Sequence, residues 1–324
     1  MDYSMASYQH NYGQTITTDA DGVVADRAFL AHLTIAEPAA ASTTAILAAK
    51  TSTTVQKASS CVVAAASAET DILTIAAPLA LGAAPNILSV ELLTADDDEL
   101  AVTDDELGVI TIELAKTSAN KNTASLIQEA IRALVEVAGV DVSEFTCAAG
   151  GNWDSAAVAT GEGDLVEFEG GQTAAPDIYE GDDLEQPDVP RNITATAGGT
   201  AGDIAAVSVI IEGTNYADED ITETLAAFTV DTAGTKSGTK AFKTVTKVTI
   251  PAADGEGATV AIGYADKLGL PYKLARNTVL ATYLDDVLET TAASVTVDED
   301  DLEKNTLDPH SACDGSNVDV YLMV

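Results

Sequence analysis

Covalent catalysis, metal binding and phosphate recognition each require a few side-chain types at particular spacings. The three cysteines of this sequence, Cys61, Cys147 and Cys313, are widely separated, and with His10, His32 and His310 they make no zinc-ligand spacing. Buried apolar roles are expected for all three thiols. No zinc-protease helix motif, nucleophile-elbow motif or lysine-bearing phosphate loop occurs. Gly161-Glu162-Gly163-Asp164 and Gly255-Glu256-Gly257 are glycine-rich but acidic, so they repel phosphate. His310 and Cys313 are near enough for a Cys–His pair, but Asp308 and Asp314 around them point to a solvated turn. His32, between Ala31 and Leu33, reads as a satisfied structural histidine on a strand. Trp153, after Gly150-Gly151-Asn152, reads as a loop anchor, with ligand stacking as the competing role. Carboxylate pairs are too common in this chain to single out a glycosidase-type acid and base. The expectation is a protein that is not an enzyme and holds no cofactor.

Charge is the dominant feature. Against 15 Lys and Arg stand 52 Asp and Glu, a net charge of −37 over 324 residues. That excludes nucleic acid and anionic membrane as direct partners, because phosphate contacts need clustered Lys and Arg. Acid runs occur at Asp96-Asp97-Asp98-Glu99, Asp104-Asp105-Glu106, Asp182-Asp183 and Asp298-Glu299-Asp300-Asp301, yet single acids are spread almost everywhere. Such self-repulsion destabilises a compact chain in dilute buffer and is screened in molar salt, so a salt-loving source is expected. None of the runs has calcium-loop spacing, and only loosely bound cations are expected on them.

Two sets of residues are candidates for partner contact. Seven of the 15 positive charges fall between Lys236 and Arg276, and Lys236, Lys240, Lys243 and Lys247 lie within 12 residues. Lys243 and Lys247 have the same parity, so they could share one strand face. The competing reading is a solvated face with local ion pairing. Tyr3, Tyr8 and Tyr12 punctuate a polar N-terminal stretch that reads as an extended arm.

Hydrophobic residues make up 46% of the chain but aromatics only 5%, so any core is built from Ala, Val, Ile and Leu. Phe29–Ile35 and Thr44–Thr54 read as strands. Residues 55–186 read as a separate, smaller α+β domain. In it, Val109–Leu114 alternates like a half-buried strand. A helix comes next, capped at Asn122 or Thr123, with Leu126, Ile127, Ala130, Ile131, Leu134 and Ala138 on one face and Gly139 as its stop. Ile72–Leu93, broken by Pro78, Gly82 and Pro85, reads as two strands and a turn. After the linker Gln186-Pro187-Asp188-Val189-Pro190, runs of Thr and Val recur between Gly, Asn and Asp clusters, as in a β-sandwich. The fold class is therefore mainly β: an antiparallel sandwich or barrel-like domain with an inserted smaller α+β domain. The domains are an arm (1–25), N-terminal strands packing with the C-terminal domain (26–54), the insert (55–186) and a β-rich domain (190–324).

From Pro190 onward the sequence resembles a module of tailed-phage structural proteins. The likeness rests on Pro190-Arg191-Asn192-Ile193-Thr194-Ala195-Thr196-Ala197-Gly198-Gly199-Thr200-Ala201-Gly202-Asp203, then Gly213-Thr214-Asn215, Ile221-Thr222-Glu223-Thr224 and Lys240–Pro251. It continues through Lys267-Leu268-Gly269-Leu270-Pro271-Tyr272 and Glu303-Lys304-Asn305-Thr306. Ala31–Lys50 is similar to the start of the same proteins. The resemblance implies a head decoration or head-fibre protein, with no catalytic residues to carry over. A protein on the capsid exterior of a tailed virus of a halophilic host is therefore expected. It would bind the major capsid protein and itself, as a trimer or pentamer, with residues 55–186 projecting like a turret. A tail or fibre component, or a carbohydrate-binding surface module using Trp153, is the alternative.

Overall fold

A computed structural model describes residues 16–18, 23–25, 30–64, 70–156 and 165–324. The chain divides into a first unit, Met1–Thr53 with Pro176–Val324, and a second unit, Thr54–Ala175. In the first unit β1 (Ile16–Thr18) and β2 (Val23–Ala25) pair with each other. β3 (Leu30–Ile35) and β4 (Ser42–Thr51) come after them. Tyr3, Tyr8 and Tyr12 lie outside the described residues.

The second unit holds β5 (Ser60–Ala64), β6 (Ile72–Ala76), β7 (Ser89–Thr94), β8 (Ala101–Asp104) and β9 (Val109–Leu114). Helix α1 (Ala124–Ala133) comes next, then β10 (Glu136–Val137), β11 (Val140–Asp141), β12 (Thr146–Ala149), a helical turn α2 (Trp153–Ala156) and β13 (Val166–Glu167). One sheet has the order β12-β6-β5 and another β13-β7-β9-β8, with β7 and β9 parallel. Between β6 and β7, Pro78 and Pro85 set two short 3-10 turns. Alternation on β9 buries Ile110, Ile112 and Leu114 against Ile127 and Ile131 of α1, with Leu73, Ile75, Phe145 and Trp153 completing the core. Each isoleucine so buried contributes about 1.5–3 kcal/mol.

Helix α1 starts as expected, with the Thr123 hydroxyl accepting from the Leu126 N–H. Asp154 takes a second free amide there, that of Ala124, at 2.8 Å. Its end is a correction. The helix stops at Ala133, because Val135 takes a left-handed conformation (φ 66°). Ala138 and Gly139, also at positive φ, instead form the two-residue turn between β10 and β11. Leu126, expected on the core face, is exposed.

The first unit resumes at Pro176 rather than after Gln186, since β14 (Asp177–Glu180) already belongs to one of its sheets. The rest is β15 (Arg191–Gly199), β16 (Ile210–Thr214), β17 (Asp220–Thr224), β18 (Gly234–Phe242), β19 (Thr244–Ile250) and β20 (Ala258–Gly269). After these come β21 (Val279–Leu284), β22 (Val287–Leu288), β23 (Ser294–Thr296), β24 (Thr306–Asp308) and β25 (Val318–Met323). Three antiparallel sheets result: β14-β19-β16-β17; β18-β15-β20-β24-β23 with β4 also on β20; and β22-β21-β25-β3. Ile193, Ala195, Ile262 and Leu47 of the second meet Ile211, Val245 and Val248 of the first in one core. Leu268 and Leu307 meet Ile35, Val318, Val320 and Leu322 of the third in another.

Two details explain this arrangement. The run Ala241–Ile250 is not one strand: β18 ends at Phe242 in one sheet and β19 starts at Thr244 in another, a corner at Lys243. Gly213 makes the corner possible, because a Cβ there would stand 2.0 Å from the Thr244 carbonyl oxygen. The second detail is Arg191, fully buried at the start of β15. Its Nε donates to Ala265 O and its Nη1 to Ala39 O, both at 2.9 Å. Asp188 and Asp266 accept from the guanidinium at 2.8 and 3.3 Å, and the ring of Tyr264 lies 4.2 Å below it.

Replacing Arg191→Met strands two carboxylates and two carbonyls and is expected to cost about 3–5 kcal/mol. Arg191→Lys should not rescue it, since an ammonium cannot span four acceptors and stack at once. Chemical denaturation in molar salt measures both; a loss below about 1 kcal/mol for Met would contradict this account.

Candidate interaction surface

The four lysines do not form one exposed patch. Lys236 and Lys240 are on β18, Lys243 is at the corner and Lys247 is on β19 in the other sheet. The shared face expected for Lys243 and Lys247 is thus broken by the corner. Lys240 Nζ lies 3.1 Å from Glu303, Lys243 2.7 Å from Asp218 and Lys247 2.9 Å from Glu212. Glu212 faces Lys247 directly across the strands, and the Glu212 hydrogen bond raises the lysine pKa. Lys236 has no ion pair among the described residues. Most of this positive charge is neutralised within the fold.

Three of the four acid runs are similarly engaged, by backbone amides. Asp105 Oδ1 accepts from the amides of Leu107, Gly108 and Val109 at 2.9 Å each, closing the β8–β9 turn. Those bonds, Val109's first, hold its carboxyl below the usual range. Asp98 accepts from the hydroxyl of Ser118 and the amides of Thr117 and Ser118, and is likewise lowered. Asp298 accepts from the amides of Asp301 and Asp300, which lower it, and Lys304 pairs with it and with Asp301. At the centre of that loop buried Asn305 donates to the carbonyls of Asp298, Asp301 and Leu302 and accepts from the amides of Leu274 and Asp298. Among the described residues no group of three or more His, Cys, Asp or Glu is placed to hold a metal ion.

The residues considered for chemistry are separated or sealed. Cys313 is buried while His310 is exposed. Desolvation pushes the thiols of Cys61, Cys147 and Cys313 up to about 12. Cys61 and Cys147 both face Ile75, from opposite sides of β6. That is two strand spacings, about 9–10 Å, beyond disulfide reach. Trp153 is fully buried and its Nε1 donates to Asn122 O at 3.0 Å, so it has no face free for a sugar.

One surface was missed at the level of sequence. The outward side of β22-β21-β25-β3 carries His32, whose ring stacks on Tyr321 at 4.5 Å and 5°, with Tyr283 edge-on to Tyr321 at 5.6 Å. Asp319 accepts from the Thr34 hydroxyl at 2.5 Å and meets His32 Nε2 at 2.8 Å; the Thr34 bond is the main reason its carboxyl is lowered. His32 is satisfied, but on an outer face. Alternation of outward Leu30, His32 and Thr34 with outward Asp319 and Tyr321 was the available signal, although it becomes one face only once β3 and β25 are paired.

No family model matches this chain, and neither a curated protein nor a solved structure does.

Two outcomes are expected. Ellman's reagent at mildly alkaline pH should leave buried Cys61 and Cys313 unmodified, label half-buried Cys147 slowly and titrate all three after unfolding; fast native labelling of Cys61 or Cys313 would contradict its burial. The lowered carboxylates stabilise the fold above their unfolded pKa, and that contribution is lost as pH falls through the folded values. In molar salt, where overall repulsion is screened, stability should therefore hold at neutral pH and fall below about pH 4. Asp298→Asn should flatten that fall, as read by denaturation across a pH series.

Proposed function

We propose that this chain is a non-enzymatic virion structural protein that decorates and stabilises the capsid exterior of a tailed virus of a halophilic host. It binds the major capsid lattice as a homo-oligomer, with the second unit displayed away from the shell. The observation that carries this reading is the resemblance from Pro190 to the C-terminus. Several of its polar positions are buried framework residues: Arg191, Asn192, Asn215, Glu303, Asn305 and Thr306. Asn215 and Lys240 both reach Glu303, so segments far apart in the sequence meet in space. A likeness in residues that hold a fold supports a shared scaffold. The ion-paired lysines and amide-bound acids agree with a protein whose work is assembly.

Decoration of this kind stabilises a shell by burying apolar surface across subunit seams, with charge setting register more than affinity. A tail or fibre role uses the same β-rich scaffold and is the competing outcome. The carbohydrate-binding alternative has lost its aromatic platform, Trp153, to the core.

The test is co-sedimentation of the purified chain with undecorated shells, in molar salt and in dilute buffer. Saturable binding in high salt at a fixed ratio to the major capsid protein is the expected result. Binding to tails, or self-assembly without shell binding, would overturn the head assignment.

A further inference from the structure

Edge strands of natural sheets carry devices against strand addition, such as charges, bulges or extreme shortness. In the three large sheets of the first unit all edges but one have them. β14 carries Asp177 and Glu180, β17 Asp220 and Glu223, β18 Lys236 and Lys240, and β4 has Lys50 and a shifted register. β22 and β23 are two and three residues long. β3 is the exception: six residues, Leu30–Ile35, with no acid, amine or proline and no register shift against β25. Among the described residues nothing pairs with its outer edge.

The face beside that edge is also apolar. Leu30 on the edge strand is 58% exposed and the His32–Tyr321–Tyr283 cluster lies next to it, while exposed Leu280 and Leu288 lie farther across the same sheet. In a chain of charge −37 this face offers a basic partner little, since Asp319 on it is already engaged by Thr34 and His32. An open edge of N–H and C=O groups is completed by another strand. Two copies of so acidic a chain repel least along an edge strand that itself carries no acid.

We propose that β3 pairs with β3 of a second copy, antiparallel about a two-fold axis at His32. Leu30 then lies opposite Thr34 of the partner subunit, and outward residues stay on one face of an extended sheet. The contact is isologous and closes at two, because the far edge is the short β22, flanked by Asp285, Asp286 and Glu289. The β3 pairing stands apart from the decoration reading: a trimer or pentamer would leave that reading intact and overturn this one.

Light scattering on the full chain in molar salt should show a dimer. Leu30→Lys with Thr34→Lys sets like charges opposite each other and should raise the dissociation constant about tenfold or more. Leu30→Glu with Thr34→Lys makes the same positions complementary and should keep the dimer. Both side chains point outward, and circular dichroism checks that the variants fold. Oxidised His32→Cys should join two copies covalently, since residues facing each other across antiparallel strands are within disulfide reach. A monomer at every concentration, a dimer indifferent to both charge variants, or no cross-link through position 32 overturns the proposal. So does a chain that dimerises only after the residues before Leu30 are removed, which would make them the occupant of the edge.

Discussion

A guanidinium cannot be buried without partners, and that constraint organises the first unit. Arg191 draws Ala39, Asp188, Ala265 and Asp266 to one point and stacks on Tyr264. Three segments far apart in sequence are thereby fixed: the turn between β3 and β4, the linker into β15, and the middle of β20. Asp188 ties the same turn again by accepting the Ala39 amide at 2.6 Å. Apolar packing alone would tolerate sliding of these strands; a planar donor with all its acceptors placed does not.

The same logic governs charge across the molecule. At −37 the chain has little room for idle cations or unanchored acid runs at its turns. Lys247 neutralises an acid on the neighbouring strand, Lys240 and Lys243 acids in turns, and Lys304 acids of its own loop. Asp98, Asp105 and Asp298 satisfy amides that would otherwise be left open at turns. Several of the acids that make the surface repulsive are also the groups that shape its loops, which reconciles extreme acidity with a defined fold.

Much of the architecture was legible because alternation is a direct record of a two-sided strand. β9 read correctly for that reason, and of the two cap candidates, Asn122 and Thr123, the second starts α1. The failures have physical causes. Gly139 resembles a helix stop, but the stop was Val135 at a positive φ rare for a β-branched residue, invisible to propensity. The corner at Lys243 was hidden because Ala241–Ile250 keeps a strand-like pattern through a change of sheet. β18 went unread because Gly234–Lys240 lacks apolar alternation, as edge strands often do. The outward face of β3 and β25 depends on pairing between residues 287 apart, which no local pattern reports.

That separation bears on the order in which the molecule forms during synthesis. β3 leaves the ribosome long before β25 exists, and β4 long before β20, so both must wait without their partners. Closing so long a loop is slow, though the entropic penalty grows only logarithmically with length. The second unit has no such delay, because its strands and α1 find every sheet partner within Thr54–Ala175. Folding early, it would shorten the effective chain between the waiting strands and their partners. A segment that interrupts the first unit in sequence can in this way hasten its completion in time.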